Sequence, residues 1–403
     1  MNEMSVNEFF SFNQNIEWNP PGDEILLRDG TRLNIKGEYW RIPTPNRVWS
    51  VDFRKLQITD GPHLNSIKRW VAHNLRNKSV ATACNGFNRA VTFFNTTAFV
   101  EAALQHKVIP YLAFSQGKNV LGIEHLWKSD SFRSYYRWCR SQQFPFFESE
   151  ILDHLEEVKI GGNEKGQAVR SADPEKGPLS ATEVAELAVA LRAAYVEKTL
   201  PVDQQAAIWL ALAFGANAGQ YALMRENDIV PEYIDGQLIT TLVSVPRHKK
   251  RHAHARSEFA QRKSNRFVGR VLQDLIHANE VSHPKNGSNE PRPLSWRRSP
   301  RNDGVGREEW EWHLTSTQFS ELLNDAMENL CLNARTGKPM KISPRRLRYT
   351  LASRMVAAGA SPYALAAALD HSDLQNVGVY FDVHSDIVEH LDKAMAMVLV
   401  VTA

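Results

Sequence analysis

Apolar residues recur three and four positions apart over most of this chain, and the exceptions fall near its start and in its middle. Close to the start, ILLRDGTRLNIKGEYWRIP alternates apolar and polar positions on either side of Asp29-Gly30, the pattern of a β-hairpin, and Pro43 and Pro45 then interrupt it. Residues 1–60 therefore read as an N-terminal arm or small β subdomain. From about Gly61 the period becomes helical: SIKRWVAHNLR, VATACNGFNRAVTFFNTTAFVEAALQ and SDSFRSYYRWCRSQQ each gather apolar residues on one face. These predict a helical domain over 61–158. The stretch Lys159–Pro178, KIGGNEKGQAVRSADPEKGP, is rich in glycine and charge and has no period, which reads as a linker. Ser180 and Glu183 then form an S-x-x-E capping box that opens a second domain, 179–403. That domain contains a strand-like run, QLITTLVSVP, among helices, so the chain reads as mainly α with a small β-sheet.

The helical period is clearest toward the C-terminus. Leu347, Leu351, Met355 and Val356 share one face, and Gly359 marks the C-terminus of a helix ending near Ala358. Ser361 followed by Pro362 is an N-cap with proline in the first turn, so a second helix carries Leu365 and Leu369 inward. His371 follows that helix, and Ser372 or Asp373 is placed to cap a third that carries Tyr380. Taken alone, the two helices from Leu347 to Leu369 also read as a helix-turn-helix module.

The length, 403 residues, suits two domains and an arm. No apolar run reaches a membrane span, the start lacks the basic and apolar regions of a secretion signal, and Cys84, Cys139 and Cys331 lack CxxC spacing. These features imply a reduced, cytoplasmic protein with no membrane partner. A net charge of +3 is mild, but Arg247 to Arg270 holds nine Lys or Arg residues against one acid, Glu258. Phosphate neutralisation is local, so such a patch matters more than the total and points to nucleic acid. In the helical domain Lys68, Arg69, Arg76, Lys78, Arg133, Arg137 and Arg140 alternate with Trp70, Tyr135, Tyr136 and Trp138, an arrangement in which cations face phosphates and aromatics pack inward. His248, His252 and His254 come without a cysteine or carboxylate pattern, and no metal is expected there. His283 to Arg307 is irregular, either a DNA-contacting loop or an insertion.

The segment from Pro344 to Val383, PRRLRYTLASRMVAAGASPYALAAALDHSDLQNVGVYFDV, puts Arg348, His371 and Tyr380 in one frame, with the tyrosine nine positions after the histidine. It resembles the C-terminal active-site block of tyrosine recombinases, the phage-integrase type of DNA strand-transfer enzyme. The strings LRYTLAS and ALDHS stand where that family shows LRHTFAT-like and LGHSS-like strings. The resemblance implies a helical core-binding domain followed by a recombinase catalytic domain. It implies Tyr380 as nucleophile forming a 3′-phosphotyrosyl bond, Arg348 forked onto the nonbridging oxygens and His371 as a further phosphate donor. A hairpin lysine is expected as the acid for the leaving oxygen, Lys249 first and Lys250 next, because a lysine pKa falls beside other cations. Double-stranded DNA is the expected partner, contacted by Arg247, Lys250, Arg251, Arg69, Arg137 and Arg140. No metal or nucleotide cofactor is implied. The family also leads one to expect a homotetramer on DNA, associated with the nucleoid, with companion recombinases and a C-terminal stripe of Ile387, Leu391, Met395 and Leu399 docking on a neighbouring protomer.

Four positions depart from the family pattern. The stretch GANAGQYALMRENDI places Asn217 where an essential arginine stands in strings like GLRISELLALRWSDI. Arg345 replaces a histidine or lysine, Tyr349 a histidine and Asp370 a glycine. Losing a preorganised donor to a developing charge commonly costs about a hundredfold in rate. Arg225, Arg345 and Arg346 are the guanidiniums considered as substitutes. Two readings follow: a recombinase or integrase of a mobile element, and a catalytically impaired accessory protein on the same fold.

Overall fold

In the computed structural model, residues 21–161, 166–171, 173–247, 255–283, 292–301, 308–371, 374 and 377–385 are described. The chain divides between residues 163 and 164 into two compact units, with Pro45–Arg47 counted in the second.

The first unit is built on one aromatic core. Strands β1 (Glu24–Leu26) and β2 (Arg32–Asn34) pair antiparallel with Ile25 opposite Leu33, and the turn between them is held by Asp29 Oδ1, which accepts from the Thr31 N–H at 3.0 Å. Strand β3 (Tyr39–Thr44) pairs with β4 (Arg47–Asp52). Two-stranded ribbons cannot bury an apolar face unaided. Ile25, Leu33, Trp40, Ile42 and Phe53 accordingly share one core with the helices that follow. These are α1 (Gly61–Asn77), α2 (Val80–Phe94), α3 (Thr97–Leu104), α4 (Tyr111–Leu121), α5 (Ser129–Ser141) and α6 (Ser149–Glu157). Trp70, Tyr135, Tyr136 and Trp138 all pack inward. The ring of Phe93 stacks on Phe114 and Phe132, and a Cβ on Gly117 would sit 2.1 Å from that ring, so the crossing of α2 and α4 requires glycine.

The second unit begins where a linker was expected. Residues 166–171 and 173–178 are packed: Pro174 and Gly177 offer their carbonyls to the buried Arg346 side chain at 2.6 and 3.0 Å, and Val169 is buried beside Tyr380. A periodicity test misses this because the segment is held by its backbone and by one apolar residue. Ser180 and Glu183 form the expected capping box, and after the short helix α7 (Gln167–Arg170) come α8 (Ala181–Glu197) and α9 (Val202–Phe214). Helix α9 is buried along Ala206–Ala211 and stops at Gly215. A short α10 (Ala218–Ala222) leads to a three-stranded antiparallel sheet, β5 (Ile229–Ile234), β6 (Gln237–Pro246) and β7 (Phe259–Ser264), with β6 central and Val243 opposite Arg262. Then follow α11 (Arg266–Ser282), α12 (Ser316–Leu330), α13 (Pro344–Ala357) and α14 (Pro362–Ala368), and a last helical stretch over residues 378–385. The predicted stop of α13 and start of α14 hold in detail. Ser361 accepts from the Ala364 N–H at 3.2 Å, and Gly359 has φ +80°. Among the described residues no helix is long and apolar enough to cross a membrane.

Candidate active site

Arg348 anchors the site. Ser343 caps α13 by accepting from the Arg346 N–H, Leu347, Ala352 and Val356 turn inward, and Arg348 is left 9% exposed. A buried guanidinium needs its donors satisfied. Here Nη1 donates to the Gly215 carbonyl at 2.8 Å, and Nη2 donates to the Leu369 carbonyl at 2.5 Å and to Nε2 of His371 at 3.1 Å. Both carbonyls lie at helix C-termini, α9 and α14, where acceptors lack intrahelical partners and the dipole favours a cation. Gly215, at φ +55°, makes the approach possible, since a Cβ there would meet Leu351 at 2.8 Å and the Arg348 Cα at 3.4 Å. Burial lowers the pKa of the guanidinium below its usual value, and the neighbouring Tyr380 opposes that shift.

His371 is aimed by the residue before it. Asp370 adopts the left-handed conformation, φ +55°, and the His371 N–H then bonds back to the Ala366 carbonyl at 2.9 Å, closing α14. Aspartate is among the few residues other than glycine that tolerate that region. The Asp370 carboxylate also accepts Nε of Arg247 at 2.6 Å, and Arg247 reaches Glu258 at 3.3 Å.

Tyr380 lies on helical residues 378–385, is 6% exposed, and packs among Val169, Ala352, Val356, Leu365, Leu369 and Val377. Its ring is 6.3 Å from that of Tyr349. Burial pushes the phenol well above the usual tyrosine range, Tyr349 adds to this, and Arg348 pulls the other way. Arg348, His371 and Tyr380 thus gather where α13, α14 and the last helical stretch meet.

Asn217 supplies no charge to this corner. It precedes α10, its N–H and its Nδ2 both donate to Gln220 Oε1 at 3.0 Å, and Gln220 Nε2 donates onward to the Pro246 carbonyl at 2.8 Å. The substitutes considered from sequence lie elsewhere or are already engaged. Arg225 is tied to Glu309 at 2.7 Å beneath Trp310. Arg346 spends its donors on the carbonyls of Gly177, Lys341 and Pro174. Arg345 is exposed on α13.

One guanidinium escaped the sequence reading. Arg262, on β7, donates Nη2 to the Ala367 and Ala368 carbonyls at 2.7 and 3.1 Å, and it lines the same small concavity as Arg348, Gln220 and Asp370. Its partners lie more than a hundred positions away in sequence, and its placement depends on strand register, which a single sequence does not fix.

The remaining expected residues are dispersed. Lys249, Lys250 and Arg251, with His248, His252 and His254, lie outside the described residues, as do Ser372, Asp373 and the stripe from Ile387 to Leu399. In the first unit Arg137 is bidentate to Glu156 and Arg140 bonds Asp153 at 2.7 Å, while Arg69 is half-buried on α1.

No protein-family model and no curated protein matches the chain. Solved structures do. The XerH site-specific recombinase bound to difH substrate in a pre-cleavage complex aligns over 81% of this chain and 83% of its own, with TM-score 0.50 at 12% identity. The same recombinase in a post-cleavage complex with palindromic difH aligns over 83% and 89%, with TM-score 0.51 at 11% identity. Identity this low carries no residue-level conclusion, but the likeness runs through both units. The chain therefore has the fold of the tyrosine recombinases.

Proposed function

We propose that this protein is a site-specific DNA recombinase or integrase, of the kind carried by mobile elements, that cuts and rejoins DNA through a 3′-phosphotyrosyl intermediate. The observation that carries the reading is the convergence of Arg348, His371 and Tyr380 on one corner of a recombinase fold. In the cleavage step the Tyr380 oxygen forms a bond to phosphorus and loses its proton. The P–O5′ bond breaks with its electron pair on the 5′ oxygen, which takes up one proton. One phosphodiester replaces another, so charge and electrons balance without a co-reactant, and the bond energy is kept for religation. Arg348 and His371 stabilise the charge that grows on the nonbridging oxygens. Lys249, or Lys250 beside it, is the proton donor to the 5′ oxygen, and Arg345 is a phosphate contact rather than a base, since arginine stays protonated. Arg247, Lys250, Arg251, Arg69, Arg137 and Arg140 hold the duplex. Exposed ion pairs such as those of Arg137 and Arg140 contribute only about 0–1 kcal/mol, so exchanging a carboxylate for a phosphate is easy. The working form is a tetramer on two duplexes in the cytoplasm, with companion recombinases joining where the element supplies them.

A second reading, an accessory protein with impaired cleavage, is favoured by the neutral, hydrogen-bonded Asn217. One experiment separates the two. Full-length protein is incubated with a pool of nicked suicide duplexes, denatured, and the strands bound covalently to protein are sequenced. A recombinase yields strands linked through a 3′ end, absent in Tyr380→Phe; wild-type protein that binds DNA but captures no strand is the accessory protein.

A further inference from the structure

A phosphodiester under attack carries charge on two nonbridging oxygens, and two guanidinium forks are the efficient way to hold both. Around the C-terminus of α14 the structure assembles more than one. Arg348 donates to the Leu369 carbonyl, Arg262 donates to the carbonyls of Ala367 and Ala368, and Arg247 bonds the carboxylate of Asp370. Three successive carbonyls at one helix end thus bring Arg348 and Arg262 side by side, from elements far apart in sequence. Both line one small open concavity together with Phe214, Ala216, Gln220 and Asp370. Against the three guanidiniums stand two carboxylates, Asp370 and Glu258, and both are engaged by Arg247. The concavity therefore faces an incoming anion with two cations whose Nη donors rest on carbonyls, Arg262 Nη1 on that of Gln261 at 3.1 Å, and not on a carboxylate, so a phosphate would recruit them by displacing neutral acceptors. Arg262 is itself half-buried, and desolvation lowers its pKa, the mark of a cation that gains from a counter-anion.

We infer that Arg262 is a further catalytic residue, forming with Arg348 a two-guanidinium clamp on the scissile phosphate in a site where Asn217 contributes no charge. The role in cleavage rests on the recombinase reading above, whereas the oxyanion site itself does not.

The test has two arms. In the first, orthovanadate, which adopts the trigonal bipyramid of phosphoryl transfer, is titrated into the full-length protein by calorimetry. Wild type is expected to bind it, with affinity falling at least about tenfold in Arg262→Ala and by less in Arg262→Lys, which keeps a charge but loses the fork. Thermal melts identify a variant that has lost its fold, and Arg262→Lys then carries the comparison. Absence of vanadate binding in wild type, or equal affinity in the Arg262 variants, overturns the inference. In the second arm, captured suicide duplexes are remade with a methylphosphonate at the cleaved position, which removes one oxygen charge. The defect of Arg262→Ala should shrink on that substrate; a defect of equal size on both substrates assigns Arg262 a structural role only and overturns its catalytic one. Vanadate binding that depends on Arg262 without any strand capture retains the clamp and removes the recombinase reading instead.

Discussion

Nη2 of Arg348 donates both to the Leu369 carbonyl and to Nε2 of His371, so one guanidinium nitrogen ties the end of α14 to the imidazole beside it. Arginine only donates, which makes Nε2 the acceptor and places the proton of a neutral imidazole on Nδ1. A lysine ammonium cannot span Gly215, Leu369 and His371 together. Arg348→Lys is expected to lower strand capture by about a hundredfold or more and to destabilise the second unit by about 1–3 kcal/mol. Suicide-substrate capture and urea unfolding read the two losses separately.

Two buried histidines set the acid limit of stability. His63 holds the Lys107 carbonyl through Nε2, His313 holds the Ala222 carbonyl through Nδ1, and the second ring nitrogen of each has no hydrogen-bond partner among the described residues. Burial lowers both to about 4. Below about pH 6.5 the unfolded chain takes up protons that the folded chain refuses until about pH 4, so stability is full above that window and falls within it. Each site contributes about 3 kcal/mol to that loss. His63→Gln should flatten the acid unfolding of the first unit alone, and His313→Gln that of the second, in denaturant titrations at pH 7 and pH 4.5.

Adjacent arginines on α13 should behave as opposites. Arg346 is 2% exposed, bonded to three carbonyls and 3.8 Å from the equally buried Glu183. Arg346→Met strands these groups and should cost about 3–5 kcal/mol. Arg345 is exposed, and Arg345→Ala should change stability by less than about 0.5 kcal/mol while weakening DNA binding and capture. Equal melting shifts in the two variants contradict this assignment.

Gly166 supports the helical stretch that carries Tyr380. It sits at φ +78°, and a Cβ there would meet Val379 at 2.5 Å. Gly166→Ala should cost about 1–3 kcal/mol and slow single-turnover capture with DNA affinity unchanged. Adding Val379→Ala should restore part of the rate, because it removes the nearest contact while leaving the Val379 Cβ at 3.0 Å and the backbone strain.

Asp370→Asn keeps a residue that tolerates the left-handed conformation but releases Arg247 from its carboxylate. DNA affinity should rise, and the slope of log K against log salt should steepen by about 0.9, one more phosphate neutralised. An unchanged slope assigns Arg247 to the fold alone.

The local features were legible and the long-range ones were not. Asp29-Gly30, the Ser180/Glu183 box and Ser361-Pro362 each place a turn or helix start through contacts within four residues, so the chain announces them directly. Arg348, His371 and Tyr380 were legible through the resemblance of one continuous segment, which the fold permits because α13, α14 and the last helical stretch follow one another. Arg262 acts across a strand register and a helix end, and the carbonyls of Pro174 and Gly177 act through the backbone, for which residue identity is silent. Asn217 was seen as a loss, but its bond to Gln220, and through it to β6, required coordinates.

The contacts of Arg348 bear on how relatives of this chain should be sorted. Its guanidinium fastens the ends of α9 and α14 to α13, so a descendant that only bound DNA would still need it to fold. Retention of this arginine in a related sequence therefore records selection on architecture and says nothing about chemistry. His371, Tyr380 and, on the inference above, Arg262 are the positions at which a working strand transferase and a retired one would diverge, and a survey of activity across such proteins should be scored there rather than on Arg348.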